Sequence, residues 1–195
     1  MILPIVAYGD PILRKMGADI TPDYPGLKEL IDNMFETMYN AHGVGLAAQQ
    51  IGKDIRLFIV DASPFAEDEE LSVEEKTQLK DFKKVFINAQ IIEEYGDDWA
   101  FSEGCLSIPG VNEDVFRAEE IKVSYLNENF EKKEEILSGL AARVFQHEYD
   151  HIDGILFTDH LSGLKKRLIK KKLENITKGN ANADYRMRFP KAKRK

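Results

Sequence analysis

With 195 residues, 43% of them hydrophobic and including 11 Phe and 7 Tyr, the chain can build one domain around a substantial core, which excludes wholesale disorder. Its single cysteine excludes an intrachain disulfide framework, and no apolar run approaches the roughly 18 residues that span a bilayer. The net charge of −7 conceals a division, because residues 161–195 hold 13 of the 27 Lys and Arg against two acids, Glu174 and Asp184, which puts +11 there and −18 elsewhere.

In chain order, residues 1–10 lack the basic region and long apolar stretch of a secretory signal, which together with the lone thiol points to a reducing cytoplasm. Leu27, Leu30, Ile31, Met34, Phe35 and Met38 recur at helical spacing after the Pro25-Gly26 turn and predict an amphipathic helix over 27–41. Residues 55–60 read as a buried strand, and 85–95, 99–102 and 121–126 as further strands rich in β-branched and aromatic residues. Between them, 67–84 is so charged that it reads as an exposed helical insertion, with a capping box at Ser72-Val-Glu-Glu75. Ser138 is the expected N-cap of a helix through Leu140, Val144, Phe145 and His151, and Gly154 its expected end. The fold class this predicts is α+β.

The strongest chemical signal lies on that last helix, in His147-Glu148-Tyr149-Asp150-His151. Imidazoles at i and i+4 share a face and can grip one metal ion, and Glu148 stands beside them to exchange protons with water. Leu140, Val144, Glu148 and His151 form one stripe, so these polar groups lie on the apolar face, where they need partners that a divalent metal would provide. The histidine that would complete a metzincin set is replaced by Phe157, which disfavours that protease class. His42, His160, a carboxylate or Cys105 are the candidates for a third ligand. Cys105, within Glu103-Gly104-Cys105-Leu106-Ser107, would be a strong one as thiolate, and using it unites both features at one centre. Gly43-Val-Gly-Leu-Ala-Ala-Gln-Gln50 is a small-residue loop able to press against a site, and without GxGxxG or Walker patterns it gives no support to a nucleotide cofactor.

Taken together, GxGLAAxQ at Gly43 to Gln50, EGCLS at Glu103 to Ser107 and QHExDH at Gln146 to His151 make the chain resemble bacterial-type peptide deformylases. The resemblance covers the chain to about residue 163 and implies a catalytic domain over 1–163, interrupted by the acidic insertion near 65–84 and followed by a basic helix and tail over 164–195. It implies antiparallel sheets around the central HExxH helix with a C-terminal helix outside. It further implies Cys105, His147 and His151 as ligands of one divalent metal, Fe²⁺ expected with Zn²⁺, Ni²⁺ or Co²⁺ able to substitute, and Glu148 as acid/base. Gln50 and the Leu106 backbone N–H are the implied oxyanion donors.

Nascent N-formylmethionyl chains in the bacterial cytoplasm are the implied substrates. They would be held by backbone groups around Val44 and Gly45 and near 108–110, with Glu103 and Gly104 also at the substrate, and by a methionine pocket drawn from Val44, Phe101, Leu140 and Val144. An HExxH zinc metalloprotease is the alternative activity. The clusters at Lys165, Lys170 and Lys191 are candidates for ribosomal RNA contact, since phosphate attraction is charge-driven. No membrane partner is expected.

Overall fold

The computed structural model describes residues 1–190. Five strands form one antiparallel sheet in the order β2-β3-β4-β5-β6, namely β2 (Gly45–Ala47), β3 (Leu57–Asp61), β4 (Lys83–Cys105), β5 (Ile108–Leu126) and β6 (Lys132–Ser138). The antiparallel sheet is as expected, and a second, two-residue pairing of β1 (Ile5–Val6) with β7 (Met187–Arg188) is parallel, which the sequence did not indicate. Among the described residues the α-helices are α1 (Leu27–Asn40), α2 (Val73–Lys80), α3 (Gly139–Ile152) and α4 (Gly163–Thr177).

The two separate strands expected over 85–95 and 99–102 are one continuous strand, β4, which forms a long hairpin with β5. Bulges after Ile87, Ile91 and Tyr95 break the inside–outside alternation, which is why the sequence reads as pieces. The hairpin turns between Cys105 and Ile108, where the register shifts again and leaves Leu106 and Ser107 out of the ladder.

Helix α3 packs against β2, β3, β5 and β6. It is buried on most sides because Leu140, Ala141, Ala142, Val144, Phe145 and Ile152 leave little polar surface on it. Phe145 meets Phe58 and Phe86 edge-on at 5.1 and 4.9 Å while those two stack on each other, so an aromatic triangle fixes the helix over the sheet. Burying Phe145 contributes about 2–3 kcal/mol. Ser138 occupies the N-cap position without making a capping bond, contrary to expectation, and its hydroxyl lies 3.5 Å from Gln78 instead. The C-terminal end is as predicted, with Gly154 at φ 74° and its N–H bonded to the His151 carbonyl.

The capping box holds, since Ser72 Oγ accepts from Glu75 N–H at 3.2 Å and Glu75 returns a bond to Ser72 N–H at 3.0 Å. The insertion is less exposed than its charge predicts. Leu79 and Phe82 are 2% and 3% exposed and belong to the main core, and Lys83 and Lys84 already lie in β4. Ile169 and Ile176 of α4 enter a third apolar cluster with Val6, Leu156 and Phe157, so the basic helix is built onto the body of the fold. None of the described helices is long and apolar enough to cross a membrane.

Candidate active site

Three segments converge on one cleft: the strand and turn after α1, the tip of the β4–β5 hairpin, and the face of α3. Sγ of Cys105 lies 3.3 Å from Nε2 of His151, and the ligand atoms of Cys105, His147 and His151 all fall within 4.8 Å of one another. A thiolate and two imidazoles so disposed fit a divalent ion that keeps a further position open. Burial drives the His151 pKa down to about 3, with the neighbouring His147 adding to the effect, so this imidazole stays neutral and keeps a lone pair for ligation. His147 is oriented through Nδ1, 2.9 Å from Glu103, which turns its other nitrogen toward the thiol.

Glu103, expected at the substrate, lines the cleft, and its carboxylate also ties the site together from behind. Its oxygens meet Arg117 at 2.7 and 3.0 Å, Arg143 at 2.9 Å and His147 at 2.9 Å. Arg117 continues at 2.8 Å to Asp150, which in turn meets His160 at 2.8 Å. Burial alone would raise the Glu103 pKa, but the bonds and charges of His147 and Arg117 overcome it and hold the carboxyl well below the ordinary range. Arg143 also donates to the backbone carbonyls of Val115 and Trp99, at 3.0 and 2.6 Å. The sequence reading passed over Arg117, Arg143 and Asp150. The available signal was a buried arginine one turn before His147 on an otherwise apolar helix face.

Glu148 is 4% exposed and its Oε2 has no hydrogen-bond partner. Burial pushes its pKa up to about 7, so this carboxyl is poised to gain or lose a proton near neutrality. It is pressed against β2, where a Cβ built on Gly45 would stand 2.7 Å from Glu148 Cδ. Gly45→Ala must therefore displace the carboxyl, and we expect kcat to fall about 100-fold with metal content unchanged. Wild-type turnover from that variant, assayed alongside metal analysis, would show that the contact does not matter.

Gln50 is held by its own loop, with Oε1 accepting from Ala47 N–H at 2.8 Å. Its Nε2 thereby points to the site, 3.5 Å from Cys105 Sγ and 3.4 Å from Ser107 Oγ. The cleft has a volume of about 780 Å³, and Val44, Gly45, Phe101, Gly104, Leu106 and Val144 all line it. Leu140, expected there, is instead 8% exposed within the main core and is not among the lining residues. Phe65 of the insertion and residues 182–185 form walls that the sequence did not indicate. His42 lies in the cleft outside the three-ligand cluster, and His160 is bound to Asp150, so neither displaces Cys105 from that cluster.

A thiolate and two imidazoles able to hold one ion, with a carboxyl poised near neutrality at the end of an open cleft, define a mononuclear metallohydrolase. A family model described as polypeptide deformylase matches residues 2–167. The chain is 66% identical over 194 residues to a peptide deformylase of Christiangramia forsetii, covering 100% of this chain and 99% of that one. It is 60% identical to one from Flavobacterium johnsoniae, covering 100% and 99%. Among solved structures, a peptide deformylase from Legionella pneumophila superposes with a TM-score of 0.76 at 36% identity, covering 91% of this chain and 96% of that one. An inhibitor complex of the Plasmodium falciparum enzyme gives 0.75 at 32%, covering 89% and 99%. The chain belongs to the polypeptide deformylase family, which leaves the alternative of a general zinc metalloprotease without support.

Proposed function

We propose that this chain hydrolyses the formyl amide of N-formylmethionyl polypeptides as they are made, releasing formate and a free N-terminal amine, in the bacterial cytoplasm. The observation that carries this reading is the unpartnered, buried Glu148 carboxyl beside the cluster of Cys105, His147 and His151. Those three residues would hold the metal, Fe²⁺ by the family resemblance, although a set of one thiolate and two imidazoles also suits Zn²⁺, Ni²⁺ or Co²⁺. When bound, that ion supplies Lewis acidity, which lowers the pKa of water and polarises the carbonyl under attack. Glu148 accepts the water proton and returns it to the departing amine. Gln50 Nε2 and the Leu106 N–H donate to the oxygen that gains negative charge.

Strand β2 lies at the edge of its sheet, so an extended peptide can add to it beside Val44 and Gly45, and 108–110 also line the cleft. Val44, Phe101 and Val144 supply apolar walls for the first methionine. Metal ligands, Glu148 and Gln50 all fall within the catalytic segment 1–163. Formate release from formyl-Met-Ala-Ser by anaerobically purified protein tests the activity. A metal-loaded preparation that releases none would overturn it.

The basic C-terminal helix is proposed to meet ribosomal RNA, since Lys166, Arg167 and Lys170 to Lys172 are exposed on α4 while Ile169 and Ile176 anchor it. Lys191 and its neighbours lie outside the described residues. Truncation at Ser162 would also strip Ile169 and Ile176 from the core, so the better test reverses charge at Lys170, Lys171 and Lys172. We expect co-sedimentation with ribosomes at low salt to fall at least several-fold in that variant. Equal retention of both proteins would remove the idea.

A further inference from the structure

Residues 182–185 lie beyond the segment matched by the family model, yet they line the catalytic cleft. They reach it because β7 is clamped to the N-terminus. Ile5 N–H donates to Arg186 O and Ala7 N–H to Arg188 O, both at 2.9 Å, and Arg188 lies 3.6 Å from Asp10. The anchored segment presents Tyr185, whose ring packs partly buried against an apolar cluster that includes Met34, Met38, Leu46 and Ile59, and whose hydroxyl donates to the Leu106 carbonyl at 2.8 Å. One residue on, the Ser107 carbonyl is taken by Tyr8 N–H at 2.8 Å. Two successive carbonyls at the hairpin tip, where no ladder bonds hold the chain, are thus fixed from the two termini.

We propose that Tyr185 is a positioning residue for the deformylation reaction, its hydroxyl fixing the Leu106 backbone so that the neighbouring N–H keeps its aim at the developing oxyanion. The inference rests on the reading of Leu106 as an oxyanion donor. A donor works only if its direction is set before charge develops, and Leu106 has no strand partner to set it. Burial raises the Tyr185 pKa well above the ordinary phenol value, with the nearby Cys105 adding to the effect, so the hydroxyl remains a donor across the working pH range. The same contact makes the end of the chain part of the active site.

The alternative is that Tyr185 only fastens the C-terminal segment. The two roles separate in kinetics, because loosening a cleft wall weakens substrate binding and raises KM, whereas misaiming a donor lowers kcat. Tyr185→Phe keeps the ring and its packing and removes the hydroxyl. Arg188→Ala loosens the segment by removing the ion pair to Asp10 and leaves the hydroxyl in place. Steady-state formate release by the full-length, metal-loaded proteins is compared, with metal content and Tm measured on each.

The expected result is a fall in kcat of about 10-fold for Tyr185→Phe, with KM within about twofold and metal content unchanged, since misplacement costs less than outright loss of a donor. Arg188→Ala should retain wild-type kcat. Unchanged kcat in Tyr185→Phe, or an equal fall in Arg188→Ala, would overturn the inference. Failure of the wild type to release formate would instead count against the proposed activity itself.

Discussion

Replacing Glu148 by alanine lowers kcat for formate release by on the order of 10³-fold while the metal stays bound. Both halves follow from where the carboxyl sits. It is outside the cluster formed by Cys105, His147 and His151, so ligation does not depend on it. Its Oε2 makes no hydrogen bond, so no network collapses on removal, and losing an unsatisfied buried carboxyl offsets part of the cost of the cavity left behind. What disappears is the group proposed to move the proton. The pH profile of the wild type carries the same signature, with the sign fixed by the direction of transfer. Glu148 must be ionised to accept a proton, so kcat/KM rises with pH along a single-proton limb and then levels off. Burial, partly offset by the charges of His147 and Arg117, would place that limb at about 7, and a dication beside the carboxylate would draw it lower, because an opposite charge favours the ionised form. Metal analysis together with steady-state kinetics decides the matter. A Glu148→Ala protein that lost its metal would make Glu148 a ligand, and one that kept its turnover would assign the proton transfer elsewhere.

The candidate site was legible where it is written in short-range spacing. His147, Glu148 and His151 are placed by helical periodicity alone, and the helix exists because its other residues are apolar. Thiolate chemistry favoured Cys105 among several open candidates and the family resemblance selected it, whereas Gln50 needed the resemblance outright, since nothing local says that its loop and a hairpin tip meet the same helix. What the sequence concealed depends on register and on distant contacts. Arg117 and Glu103 meet within the stretch where residues 98–104 pair with 112–118, and the register of that stretch depends on the irregularities that bound it, which no alternation rule counts in advance. Leu79 and Phe82 were hidden in a run of charges, where average polarity outweighed two core residues. Strands β1 and β7 are two residues each, too short for a period, and Tyr185 is 79 residues from the carbonyl it holds. Ser138 misled for the opposite reason. Its residue type fits a cap, but position alone does not aim the hydroxyl at a backbone N–H.

Glu103→Gln is expected to be the costliest single isosteric change in the fold, at about 3–5 kcal/mol, because it breaks a buried ion pair from one side only. The side chain is 4% exposed, and Arg117 and Arg143 beside it are 5% and 2% exposed. Arg117 keeps Asp150 at 2.8 Å, but Arg143 is left with carbonyl partners and no carboxylate within reach of an ion pair. For a chain of this size the loss lowers Tm by roughly 10 °C. The pH dependence follows from the depressed pKa of the native carboxyl. Stability from this group is fully present above the unfolded carboxylate value of 4.5 and is lost as pH falls below it toward the native value. The gap between wild type and variant is therefore widest near neutrality and narrows on acidification. Urea unfolding of the metal-free proteins from pH 7 to pH 3 measures it, and a gap under 1 kcal/mol at pH 7, or one that does not change with pH, would refute the assignment. The same substitution frees His147 Nδ1 from its acceptor, so metal affinity should weaken by about 10–100-fold. Stability and metal binding thus fall together from one carboxylate, because the residue that neutralises two buried arginines also aims a ligand.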